Sequence, residues 1–257
     1  MSAPSPGPLG STSIPTKTPS ETAESPAPAA VLPGRDCLLC PRLAALREVQ
    51  RTTHPEWFNA PVPPFGDPSA KVLIIGLAPG LRGANRTGRP FTGDYAGELL
   101  YATLHKFGLS QGNYDARADD GLSLVGARVT NAVRCVPPQN KPEPRELAAC
   151  RAFLASEIAA SPGLRAFVAL GAIAHDAVLT ALGLRRTLFR FAHGAVHALP
   201  EGRLLADSYH CSRLNTNTGR LSARMFEAVF ANLLDRLALG DTQPAMRDMH
   251  GTVPAPR

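Results

Sequence analysis

Lys71-Val72-Leu73-Ile74-Ile75 runs directly into Gly76-Leu77-Ala78-Pro79-Gly80, and this junction decides the fold. A short apolar run followed by glycine and proline predicts a buried strand that emerges into a loop. The loop continues as Leu81-Arg82-Gly83-Ala84-Asn85-Arg86-Thr87-Gly88-Arg89-Pro90-Phe91-Thr92-Gly93-Asp94. In open α/β sheets, ligands bind outside the carboxyl ends of the strands. The glycines let backbone pass close to a ligand without Cβ clashes. Arg82, Arg86 and Arg89 in the same loop point to a polyanion, since guanidinium suits phosphate.

Outward from this strand, apolar runs alternate with amphipathic stretches, the signature of an α/β fold built on a parallel sheet. Strands are predicted at Val72–Ile75, Ala127–Asn131, Ala166–Leu170 and Arg203–Asp207. Helices are predicted at Pro41–Gln50, Tyr95–Phe107, Pro144–Ala159, Ile173–Leu182 and Ser222–Leu239. Pro144 with Glu146 behind it suits a helix start, and Gly108 and Gly183 suit helix stops. Residues 1–34 are rich in Pro, Ser, Thr and Ala and read as a disordered tail, because they cannot bury enough surface to order themselves. Residues 35–239 form the folded domain, and 240–257 read as a flexible C-terminal tail. Three polar clusters follow the strands: the glycine loop, the segment after Asn131, and the segment after Asp207. On one edge of a parallel sheet they would share a cleft.

Composition narrows the partner. The formal net charge is +6, and the cations are 23 Arg against 4 Lys. Arg favours bidentate phosphate and base-edge contacts, so nucleic acid leads, although genomic bias explains the ratio equally well. No run reaches the roughly 18 apolar residues of a membrane span, and the N-terminus lacks a secretory signal. The expectation is a soluble cytoplasmic protein, nucleoid-associated and without membrane contact. Five cysteines in that compartment suggest metal or redox chemistry rather than disulfides.

Individual residues carry two readings each. Cys37 and Cys40 form a CxxC, with Cys135 in a Pro-rich loop and Cys150 on the following helix. Four thiolates suit a tetrahedral zinc or an iron–sulfur cluster. Cys211 falls in the polar cleft and reads as a small filler. His210 at the cleft mouth could donate a hydrogen bond to a developing anion, or simply face solvent. Asn131 could begin a turn or pair with a base edge. Phe91, amid Gly, Arg and Thr, is placed to stack on a planar ligand. Asp94 could cap the helix beginning at Tyr95.

Three motifs then resemble the uracil-DNA glycosylase superfamily, most closely its family 5 (type B) iron–sulfur enzymes. They are Gly76–Asp94, Asn131-Ala-Val-Arg-Cys135-Val-Pro-Pro-Gln-Asn-Lys-Pro142, and His210-Cys-Ser-Arg-Leu-Asn-Thr-Asn-Thr-Gly-Arg-Leu221. The resemblance spans Cys37 to Leu239. It implies a three-layer α/β/α sandwich with a central four-stranded parallel sheet. It also implies a 4Fe-4S cluster on Cys37, Cys40, Cys135 and Cys150, and a monomer acting on uracil and other deaminated bases in double-stranded DNA. Phe91 would stack on the flipped base, with Gly76 and Ala78 among the substrate-binding residues, Asn131 would read its edge, and His210 would support the leaving base. Arg82, Arg86, Arg89, Arg213, Leu214 and Asn215 would contact DNA, with Arg213 and Leu214 filling the vacated space. Strict uracil enzymes of the superfamily carry a carboxylate or amide in Gly-x-x-Pro. Here Leu77 and Ala78 occupy those positions, so the resemblance leaves water to Asn85 or Asp94, or to a dissociative route assisted by one of them. The small Ala78 also leaves room for hypoxanthine and xanthine. Two departures stand out: Cys211 replaces the usual proline after the histidine, and Leu81-Arg82 replaces a small residue followed by histidine.

Three other functions compete with this reading. A dinucleotide enzyme would need GxGxxG and an acidic residue closing the next strand, and the chain has neither. A non-turnover binder of uracil-containing DNA would carry a basic insertion after the first motif, which is missing. A zinc or iron–sulfur nucleic-acid adaptor would be told apart by its metal.

Overall fold

A computed structural model describes residues 29–242, with side chains to 239. Its strands are β1 (Phe65–Gly66), β2 (Val72–Gly76), β3 (Ser110–Gln111), β4 (Ser123–Leu124), β5 (Ala127–Asn131), β6 (Ala166–Leu170), β7 (Val196–Ala198) and β8 (Leu204–Ser208). Its helices are α1 (Pro41–Thr53), α2 (Ala84–Thr87), α3 (Tyr95–Lys106), α4 (Pro144–Ala159), α5 (Ala172–Ala181), α6 (Arg213–Asn217) and α7 (Ala223–Thr242).

The main sheet runs β1-β5-β2-β6-β8-β7. Its four central strands are parallel, as expected, and β1 and β7 add antiparallel edges that the sequence pattern did not reveal. Both edge strands are too short to show a period: β1 has two residues and β7 three. The small β3–β4 ribbon stands apart.

Alternation along the central strands separates two cores. Val72 and Ile74 pack with Leu100 and Leu104 of α3 and Phe226 and Phe230 of α7. Leu73 and Ile75 pack with Leu154 and Ile158 of α4 and Val178 and Leu179 of α5. The result is helix, sheet, helix. On the α4 face, Glu157 accepts from Arg128 Nε of β5 at 2.7 Å and from Thr130 Oγ1 at 3.1 Å, and pairs with Arg134 just beyond the strand. This buried ion cluster fixes where β5 leaves the sheet.

Several predicted boundaries move. The last central strand is Leu204–Ser208, one residue later than expected, and α1 continues to Thr53. Helix α7 continues to Thr242, past the boundary placed at 239, because nothing in Gly240-Asp241-Thr242 breaks its backbone ladder. Residues 29–34, assigned to the N-terminal tail, are attached to the domain: the Val31 amide donates to Ser156 Oγ at 2.8 Å. Residues 1–28 and 243–257, expected to be tails, lie outside the described residues. No described helix is long and apolar enough to cross a membrane.

Candidate active site

The site forms where β2, β5 and β8 end. Gly76 and Asn131 are the last paired residues of β2 and β5, in register with each other. A Cβ on Gly76 would lie 2.5 Å from both Asn131 Oδ1 and Phe91 Cζ, so only glycine lets ring and amide close over the strand end. Asn131 is buried, and its Oδ1 has no hydrogen-bond partner. A ligand donor would meet that demand.

Phe91 is held in a left-handed conformation, φ 52°, which costs about 1–3 kcal/mol for a non-glycine residue. Its neighbours impose it. Tyr101 Oη donates to the Pro90 carbonyl at 2.5 Å and Tyr114 Oη to the Phe91 carbonyl at 3.2 Å. Arg89 is central to this frame: its guanidinium grips Asp120 bidentately at 2.8 and 2.7 Å, and its Nε donates to Thr92 Oγ1 at 2.8 Å. The Arg89 hydrogen bond holds the Asp120 carboxyl well below the usual carboxylate range. The expected DNA contact by Arg89 is therefore corrected, since its side chain is buried inside the protein.

Asp94 stands at the N-cap of α3, yet its carboxylate makes no cap bond and its Oδ1 has no partner. Instead the glycine loop wraps it: a Cβ on Gly83 would come within 2.3 Å of Asp94 Oδ2 and one on Gly80 within 2.9 Å. Burial raises its pKa, while the Gly97 and Ala96 amides pull against that rise without forming directed cap bonds. Asn85, the other expected water-positioning residue, is corrected as well. It is buried away from the cleft and its Nδ2 donates to Asn59 Oδ1 at 2.9 Å.

His210 completes the cleft from the β8 side. Its ring lies 5.9 Å from that of Phe91, inclined by 26°. Burial pushes its pKa down to about 4, so the imidazole is neutral at physiological pH. Together with Ala78, Asp94, Phe91 and Asn131 it lines a cleft of about 610 Å³. Tyr95, Asn140 and Ser212 also line it. Asn140 lies in the polar segment after Asn131, and no local pattern in the sequence sets it apart from its neighbours there.

The rim is basic. Arg82 and Arg86 are exposed, with Arg86 Nε donating to the Arg82 carbonyl at 2.9 Å. Arg213 lies over the Tyr95 ring at 5.3 Å, and Leu214 projects with 72% of its surface exposed. Asn215 turns inward instead: its Nδ2 donates to the His210 carbonyl at 2.8 Å, so its expected DNA contact gives way to a structural one. Cys211 is fully buried in the core against α3, with its thiol on the Ala96 carbonyl at 3.4 Å, rather than in the polar cleft.

A second cavity is lined by Cys37, Cys40, Cys135 and Cys150 with Leu43 and Phe153. Cys40 caps α1 with Pro41 behind it, and the Arg134 amide donates to Cys150 Sγ at 3.4 Å. Burial raises the Cys40 thiol to about 11 and Cys135 to about 12, and neighbouring thiols add to both. Four thiols converging on one cavity fit a thiolate-held metal ion or iron–sulfur group.

The family model of the uracil DNA glycosylase superfamily matches residues 63–234. The chain belongs to this superfamily. It is 52% identical over 196 residues to the type-5 uracil-DNA glycosylase of Thermus thermophilus, covering 74% of this chain and 89% of that one. It is 41% identical over 198 residues to the type-5 uracil-DNA glycosylase of Pyrobaculum aerophilum, covering 76% and 86%. The type-4 enzyme of the same archaeon is more distant, at 34% over 125 residues and 48% of this chain. The type-5 branch is thus where the chain falls, as its motifs suggested, and with it comes N-glycosyl hydrolase chemistry acting on DNA.

Proposed function

We propose that this glycosylase excises uracil, and also hypoxanthine and xanthine, from double-stranded DNA as a monomer in the cytoplasm, opening base excision repair. One observation carries the reading: Phe91, Asn131, Asp94 and His210 converge on a single cleft, with Ala78 where a bulkier polar side chain would narrow it.

The target nucleotide leaves the stack at a cost of a few kcal/mol, smallest at a mispair. Leu214 enters the vacated space, and Arg82, Arg86 and Arg213 hold the phosphates. Phe91 stacks on the extruded base while the Asn131 amide pairs with its edge. Breakage of the glycosidic bond puts negative charge on the base and positive charge on the sugar. His210 meets the base charge as a neutral donor: an imidazole with a pKa of about 4 donates a hydrogen bond without having to lose its proton. Asp94 faces the sugar side, where as a carboxylate it stabilises the cation and orients water. The bond from base nitrogen to C1′ breaks with its electron pair on the base. Water then adds at C1′, and its proton goes to solvent or to the base.

Cys37, Cys40, Cys135 and Cys150 would hold a 4Fe-4S cluster joining α1, the loop after β5, and α4. Bound there it ties distant segments together, much as a disulfide frame would. Single-turnover release from duplexes carrying uracil, hypoxanthine or xanthine tests the proposal. Cleavage of all three is expected; release of uracil alone would overturn the broad specificity, and binding without release would overturn the enzyme.

A further inference from the structure

Away from the cleft, one polar cluster is more elaborate than packing requires. His175 Nδ1 lies 2.7 Å from Asp207 Oδ1, His197 Nε2 lies 3.0 Å from Asp207 Oδ2, and His175 Nε2 faces the Phe189 carbonyl at 2.9 Å. These are hydrogen-bond distances. They make the cluster a clasp between α5, β7 and β8.

The clasp secures the segment between Phe189 and His197. The Ala192 amide donates to Asp207 Oδ2 at 3.2 Å and the Gly194 amide to the Asp207 carbonyl at 2.8 Å. Both neighbours of His193 are thereby fixed to one strand residue. His193 itself is pressed onto Tyr209, with ring centroids 4.8 Å apart and planes 11° from parallel. Its Nδ1 accepts the Tyr209 amide at 3.1 Å. That bond requires an unprotonated Nδ1, the neutral tautomer with its hydrogen on Nε2. Burial favours the same state by lowering the His193 pKa. The charged and titratable groups around it are Asp207, His175 and His197 of the clasp and Arg220, whose guanidinium lies 4.5 Å from the Tyr209 ring centre.

Tyr209 immediately precedes His210. Ser208 Oγ donates to the Tyr209 carbonyl at 2.9 Å and Asn215 Nδ2 to the His210 carbonyl at 2.8 Å. Three consecutive peptide groups around His210 are thus held by side chains. The following residue is Cys211, which leaves φ free where a proline would fix it.

We propose that His193 is a positioning residue: by accepting the Tyr209 amide it sets the orientation of His210, replacing in this chain the rigidity that a proline at 211 would supply. The proposal rests on His210 acting in the glycosylase reaction. A misplacement of about 1 Å at a reacting group costs as much as a hundredfold in rate.

Two variants separate positioning from packing. His193→Phe keeps the stacked ring and removes the acceptor. His193→Asn offers an amide oxygen near the position of Nδ1. With the full-length, cluster-loaded protein, single-turnover release from a uracil·guanine duplex should fall about tenfold to a hundredfold in His193→Phe at unchanged duplex affinity. His193→Asn should recover most of the rate. By NMR, the Tyr209 amide proton should titrate together with the His193 imidazole in the wild type and should be flat in His193→Asn. Equal rates for His193→Phe and wild type would overturn the proposal. So would no recovery in His193→Asn, or a Tyr209 amide that ignores the His193 titration. If the wild type released no base, the glycosylase reading itself would fail, while the NMR titration would still decide the contact.

Discussion

Asp94 and His210 meet in one cleft with opposite charge requirements, and burial acts on both. It raises the carboxyl pKa and lowers that of the imidazole. Asp94 must be ionised to serve the sugar cation, so base release should fall as pH drops through its raised pKa, above the ordinary 3.8. A pH profile of single-turnover rates checks this, and the acid limb should vanish in Asp94→Asn. That variant should also lose about 10²- to 10⁴-fold in rate at neutral pH. Asn85→Ala should behave differently. Its amide serves Asn59 in the interior, so stability should drop by about 1–2 kcal/mol with base release largely kept. Denaturant melts and release assays on the same variant separate the two effects. Sequence put Asn85 and Asp94 on equal terms because both are short polar residues in one glycine loop. Only the chain's path shows that one carboxylate is wrapped by Gly80 and Gly83 while the nearby amide faces Asn59.

At the scale of elements, the loop between β2 and α3 works because its ends are fixed and its middle is braced. Arg89 braces it through Asp120, both side chains being almost fully buried. Arg89→Ala leaves that carboxylate uncompensated, and a loss of about 3–5 kcal/mol is expected, read by denaturant unfolding. Its effect on DNA affinity should follow the fold rather than the salt concentration. Arg213→Ala should do the reverse: the melting temperature stays, and the slope of log affinity against log salt shrinks by about one phosphate contact. The central strands and α4 were legible in the sequence, since their apolar runs are long and Pro144 with Glu146 marks the helix start. Edge strands β1 and β7 were not, being too short for periodicity to register. The bracing of Arg89 was also hidden, because its partner lies thirty-one positions further on, beyond any local pattern.

Over the whole molecule, the cleft and the cysteine cavity are linked through β5, which ends at Asn131 and continues to Cys135. Metal or cluster removal by chelation under reducing conditions should therefore lower the melting temperature and blunt base release together, as the loop after Asn131 loosens. The motifs made the four cysteines legible as one set. The sequence did not show the cavity, walled by Leu43 and Phe153, that brings them together. The His175–Asp207 clasp was invisible for the same reason as Arg89, since its members come from α5 and β8. Burial opposes the His175 charge, but the Asp207 hydrogen bond and charge outweigh it and raise its pKa. Protonated His175 thus stabilises the fold below the unfolded-state pKa near 6.5, and this contribution should be lost as pH rises through the raised folded value. Unfolding curves across that range, with His175→Phe as the control, read it directly.

The central claim is that a neutral His210 and an ionised Asp94 act together on a base held by Phe91 and Asn131. It is tested most directly by single-turnover base release from a uracil·guanine duplex at neutral pH, comparing wild type with His210→Ala and Asp94→Asn at matched duplex affinity. The account expects release by the wild type and at least a hundredfold loss in each variant. Wild-type rates in either variant, or a wild type that binds the duplex and releases nothing, would contradict it.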